Sequence, residues 1–162
     1  MSPRSLIGWL ERDGTYRARR CHQLGYPSYL VPQLGDALCQ RHRGDVHALS
    51  GEILCHDWWA IGTNPADLRR ALRRAGQKEG TGVAGHEGVG IRYYSALQPD
   101  TGTIHEVPDP DYEWLLLFTP DHLTICRNSG RQRRWRPVLY PPLAELAYPT
   151  QLAHPDYYLH CA

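Results

Sequence analysis

Apolar and polar residues alternate along Leu6 to Glu11 and again along Thr15 to His22, the period-two signature of half-buried strands. Between them stands Asp13-Gly14, a hairpin signal, because both central positions of a two-residue turn need positive φ and glycine supplies one without strain. Further on, Leu30, Leu34 and Leu38, then Val46, Leu49 and Ile53, fall at helical spacing with Gly44 between the two runs. The spacing predicts two short helices within residues 28–54. Pro32 has no N–H to donate and belongs in a first turn, so the first helix is expected to begin near Val31.

The clearest helix runs from Pro65 to about Ala75: Asn64 can cap it, Pro65 suits the first position, Asp67 lies in the first turn and Gly76 follows the last periodic residue. Leu68, Ala71, Leu72 and Ala75 form its apolar stripe, and Arg69, Arg70, Arg73 and Arg74 occupy the opposite, solvated face. The glycine-rich segment 77–90 reads as a loop. Strands are predicted at Val89–Ala96, Tyr112–Thr119, Leu123–Asn128 and Arg133–Val138, with turns at Pro120-Asp121 and Ser129-Gly130, so that the later strands form a meander. Residues 137–162 interleave five prolines, at 137, 141, 142, 149 and 155, with Tyr140, Tyr148, Tyr157 and Tyr158, which allows one or two helical turns around Leu143 to Ala147. This end reads as a strap over the core, or alternatively as a tyrosine-rich surface that recognises a partner. The whole predicts one α+β domain over residues 1–162, an antiparallel sheet of about five or six strands packed by two or three helices.

The stretch Asp13, Gly14, Thr15, then His22, Gly25, Tyr26 and Pro27, resembles a family of small, largely uncharacterised bacterial and phage proteins. Its members carry an Asp-Gly-Thr hairpin followed by a His-Trp-Asp-Gly-Tyr-Pro segment and a helix. Ile91 to Tyr94 and Glu113 to Phe118 are similar to two further stretches of that family. Gln23-Leu24 stands where the family has Trp-Asp, so no role of that acidic residue carries over. The resemblance implies a fold and leaves the activity open; a phage or mobile-element setting would suit an accessory protein that sequesters a signal or blocks a host factor.

A chain of 162 residues is long enough to bury a core without disulfides or a structural metal. The formal net charge is +1, which argues against a general nucleic-acid coat protein, although 17 of the 18 basic residues are arginine and local clusters can still hold phosphate. The five cysteines form an odd set without dense spacing, and the start Met1-Ser2-Pro3-Arg4 lacks a signal-peptide core. A reducing, cytoplasmic setting is expected. No apolar run approaches the ~18 residues of a membrane span.

Four clusters could carry chemistry. Cys39 and His42, three apart on a helix, with Cys55-His56 thirteen residues on, contain zinc-ligand types in poor spacing; buried thiols and surface histidines are the competing reading, and no metal is expected. Cys21 and His22 are strand neighbours whose side chains point to opposite faces, so a nucleophile–base pair needs a distant partner such as His56, His86 or His105. The loop Gly80-Thr81-Gly82-Val83-Ala84-Gly85 has the Gly-x-Gly-x-x-Gly spacing but follows a helix, the wrong context for a dinucleotide fold, and no cofactor is expected. In Arg131 to Arg136, strand alternation puts Arg134 and Arg136 on one face and Arg133 with Trp135 on the other, where Trp135 is either a stacking ring beside a cation or a core residue flanked by solubilising arginines. The expectation is a non-catalytic binding protein. Its ligand would be anionic, a nucleotide-like small molecule or an acidic partner surface, held by Arg133, Arg134, Trp135, Arg136, Tyr26 and His22; a Cys/His- or zinc-dependent enzyme is the alternative.

Overall fold

A computed structural model describes residues 3–93 and 98–146. The Asp13-Gly14 turn joins β1 (Ser5–Leu10) to β2 (Thr15–Cys21) as an antiparallel hairpin, and Asp13 accepts hydrogen bonds from both the amide and the hydroxyl of Thr15. The chain then passes through α1 (Pro27–Asp36), a π-helical turn (Ala37–Arg41) and α2 (Val46–Leu54) before β3 (Asp57–Ile61). This helical crossover brings β3 beside β2 in parallel, with Cys21 opposite Trp58. After α3 (Pro65–Arg74) come β4 (Val83–Glu87), β5 (Gly90–Tyr93) and β6 (Asp100–Thr103). The meander β7 (Trp114–Phe118), β8 (Leu123–Ser129), β9 (Arg134–Leu139) and the single turn α4 (Leu143–Leu146) follow.

The fold is α+β, but the sheet is larger than the expected five or six strands and is not purely antiparallel. Among the described residues nine strands make one sheet, in the order β4-β5-β3-β2-β1-β7-β8-β9 with β6 added to β2, and both β1–β7 and β2–β3 run parallel. The reason is visible in β7: Trp-Leu-Leu-Leu-Phe is buried at all five positions, as a central strand covered on both faces must be. On one face Ile7, Trp58, Leu116, Phe118 and Ile125 pack against Leu30, Leu34, Leu49 and Ile53 of α1 and α2 and against Leu146 of α4. On the other face α3 covers Leu24, Ala60 and Ile91, while Leu6, Tyr16, Leu115, Cys126 and Trp135 form a separate cluster with Tyr112.

Several local expectations change. α1 starts at Pro27 and Pro32 lies inside it, because Pro27 takes the first-turn position that the sequence reading had assigned to Pro32. The glycine-rich segment is not one loop: it contains β4, and Gly82 and Gly88 with positive φ flank that strand. Asn64 caps α3 as expected, its side chain accepting from the Asp67 amide at 3.1 Å. Leu143–Leu146 is helical as expected, while residues 147–162 of the strap fall outside the described residues. Among the described residues no helix is long and apolar enough to cross a membrane.

Candidate functional site

The basic hairpin at the β8–β9 end builds a charged concavity. Arg127 on β8 stands opposite Arg136 on β9, so both project from one face. The intervening turn folds back through hydrogen bonds from the Gln132 and Arg133 amides to the Ser129 carbonyl, with Arg133 itself in the left-handed region at φ 46. This fold of the turn leaves a depression of about 540 Å³ lined by Arg127, Arg131, Arg136, Gln132, Ser129 and Val138, with no acidic side chain in the lining. Arg127 is held in place: its guanidinium lies 5.5 Å from the centre of the Trp114 ring and 3.8 Å from the Glu113 carboxylate. Arg131 and Arg136 are exposed and form no ion pair among the described residues, so their charge is uncompensated.

The residues expected to bind a ligand divide into two groups. Arg136 lines the main depression, Arg134 is exposed two positions earlier on the same face, and Arg133 lines a neighbouring one with Val107, Pro108 and Pro110. Trp135 is not a stacking surface. It is 3% exposed and packs with Tyr16, Leu115 and Cys126, because alternation on β9 turns it to the face covered by Tyr112. Arg127 was not singled out from the sequence, and Arg131 opened the basic stretch without being placed among the ligand-holding residues; the alternation Leu123, Ile125, Arg127 on β8 was the available signal for Arg127.

His22 and Tyr26 lie elsewhere. The paired row Cys21, Ser5, Trp114, Arg127 and Arg136 runs across the sheet, so the end of β2 is four strands from Arg136, about 19 Å at normal strand spacing. There the His22 ring lies 4.3 Å from Tyr93 and 6.4 Å from Trp59. The strand pairing of β3 with β5 skips Trp59, and this bulge turns its ring onto the α3 side. Burial pushes the His22 pKa below its ordinary value, with Arg4 and Arg20 acting in the same direction and Asp57 against, so the ring is neutral near pH 7. Tyr26 precedes α1, half-exposed, edge-on to Tyr29.

Among the described residues the thiols do not assemble a reactive centre. Cys21 is fully buried on the α1–α2 side, opposite His22, and burial pushes its pKa up to about 12. Cys126 behaves likewise. Cys39 and Cys55, in contrast to the reading of them as core thiols, are exposed, since they fall on the outward sides of the π-helical turn and of the α2 end. The His86 ring is bonded to the Gly62 carbonyl at 2.7 Å and His56 packs edge-on to Trp58. Among the described residues no three His, Cys, Asp or Glu side chains are grouped to hold a metal ion. No protein-family model, no curated protein and no solved structure matches the chain.

Proposed function

We propose that the protein is a binding protein for an anionic ligand, held in the depression between the β8 and β9 arginines without a catalytic step. The observation that carries this reading is the uncompensated pair Arg131 and Arg136 in a concavity that contains no carboxylate. Arginine suits the task because its planar fork donates two parallel hydrogen bonds to a carboxylate or phosphate. Arg127, locked between Trp114 and Glu113, loses little side-chain freedom when a ligand arrives. Arg133 and Arg134 flank the depression and extend its field.

A second basic depression, about 290 Å³, lies on α3 between Arg69, Arg73 and Lys78, but Glu79 shares its lining and its arginines sit on a solvated helix face. The hairpin is therefore the stronger site. Titration with a panel of nucleotides, an acidic peptide and a polyanion, repeated at low and high salt, tests the proposal. Saturable binding that weakens with salt supports it, and absence of binding to every anion tried refutes it.

A further inference from the structure

We infer that the ligand at this site is an extended acidic segment of a partner protein that also carries apolar side chains. This inference rests on the anion-binding reading above and narrows it. Three depressions surround the same hairpin turn. The main one, a second of about 470 Å³ lined by Pro3, Arg4, Pro110, Tyr112 and Glu113, and a third of about 320 Å³ lined by Val107, Pro108, Pro110 and Arg133 all include Asn128 and Gly130. A single nucleotide would fill one of them, whereas a chain crossing the turn can occupy all three.

Two observations separate a peptide from a single nucleic-acid strand. Strand binding draws on bases stacked against exposed rings, yet Trp135 on β9 and Tyr112 in the second depression are only 3% and 6% exposed. What the site exposes instead is apolar and aliphatic: Val107 is 70% exposed, beside exposed Pro110, with Arg133 sharing their depression. Furthermore, Asp111 and Glu113 line the second depression, so a uniformly anionic polymer is repelled there while a peptide with neutral positions is not. An apolar patch rimmed by arginine is the composition of a protein interface.

Fluorescence anisotropy with three labelled probes tests the inference: a peptide alternating Glu and Leu, one of equal length alternating Glu and Ser, and an oligothymidylate. The Glu/Leu peptide should bind roughly tenfold or more tightly than the Glu/Ser peptide. Val107→Ser should abolish that difference, and Arg131→Gln with Arg136→Gln should weaken both peptides. Equal binding of the two peptides, tighter binding of the oligonucleotide, or an unchanged Val107→Ser variant would overturn the inference. Self-association of the unaltered protein that Val107→Ser removes would also overturn it, since a second copy would then be the occupant. A mononucleotide held through Arg131 and Arg136 with neither peptide bound defeats the inference alone; no binding of any anion defeats the anion-site reading as well.

Discussion

Replacing Arg19 by Met should be among the most destabilising single changes in the chain. The guanidinium lies within the molecule, 4% exposed, 3.7 Å from the Asp57 carboxylate, which is 3% exposed. It also caps the end of α2: Nε donates to the Leu54 carbonyl at 2.8 Å, Nη2 to the Cys55 carbonyl at 3.5 Å, and Nη1 to the Gln98 carbonyl at 3.2 Å. The Leu54 and Cys55 carbonyls are among those that a helix end leaves without intrahelical partners, at the negative pole of its dipole. Met fills the space but offers these carbonyls no donor and takes the guanidinium away from the buried Asp57 carboxylate. Breaking a buried pair on one side costs about 3–5 kcal/mol, which for a chain of this size lowers Tm by roughly 10 °C. Adding Asp57→Asn removes the buried negative charge and keeps an acceptor for the Arg20 amide, which Asp57 now serves at 3.2 Å. The double variant should therefore be more stable than Arg19→Met. Urea denaturation of the parent, both singles and the double would decide it. A loss under about 1 kcal/mol for Arg19→Met, or strictly additive losses, would refute the account of a coupled buried pair.

Further outcomes follow from the same structure. Gly25→Ala should cost about 1–3 kcal/mol in urea denaturation, because its new methyl group would collide with the Pro3 carbonyl and force the β1 entry to move; a neutral result would mean that this contact is slack. Peptide mapping after brief alkylation should find Cys39 and Cys55 labelled, and Cys21 and Cys126 protected until the chain unfolds, since burial raises both of the latter thiols to about 12. His22 has a lowered folded pKa, so the stability it contributes is complete above the unfolded value of about 6.5 and is lost as pH falls from there through the folded value. Denaturation at a series of pH values should show a smaller acid loss in His22→Phe than in the parent; parallel curves would contradict this assignment.

What was legible in the sequence was what short-range chemistry decides. The Asp13-Gly14 hairpin, the Asn64-Pro65 start of α3 and the β7–β8–β9 meander all depend on neighbours in the chain, and all are present. The parallel pairing of β1 with β7 joins residues about a hundred positions apart, and a period-two pattern specifies a strand without naming its partner. β4 escaped because Val83-Ala84-Gly85-His86-Glu87 has weak strand character between turn glycines. At the corner after β2 a glycine is the residue most suited to a left-handed conformation, yet Leu24 takes it at φ 55, and Gly25 is needed for close approach to the Pro3 carbonyl. In the site itself, alternation correctly grouped Arg134 with Arg136. It could not say which face of an edge strand is covered, and that is why Trp135 turned out to be core.

The central claim, an anion site made by the β8–β9 hairpin, is tested most directly by calorimetric titration of two double variants against the same acidic ligand. Replacing Arg131 and Arg136 by Gln removes the two uncompensated guanidinium groups of the depression, whereas replacing Arg69 and Arg73 by Gln removes as much charge from the solvated face of α3. The account predicts that the hairpin variant loses most of its affinity and much of its salt dependence, while the helix variant stays close to the parent. Equal losses in the two variants would assign binding to overall charge and contradict a site at the hairpin.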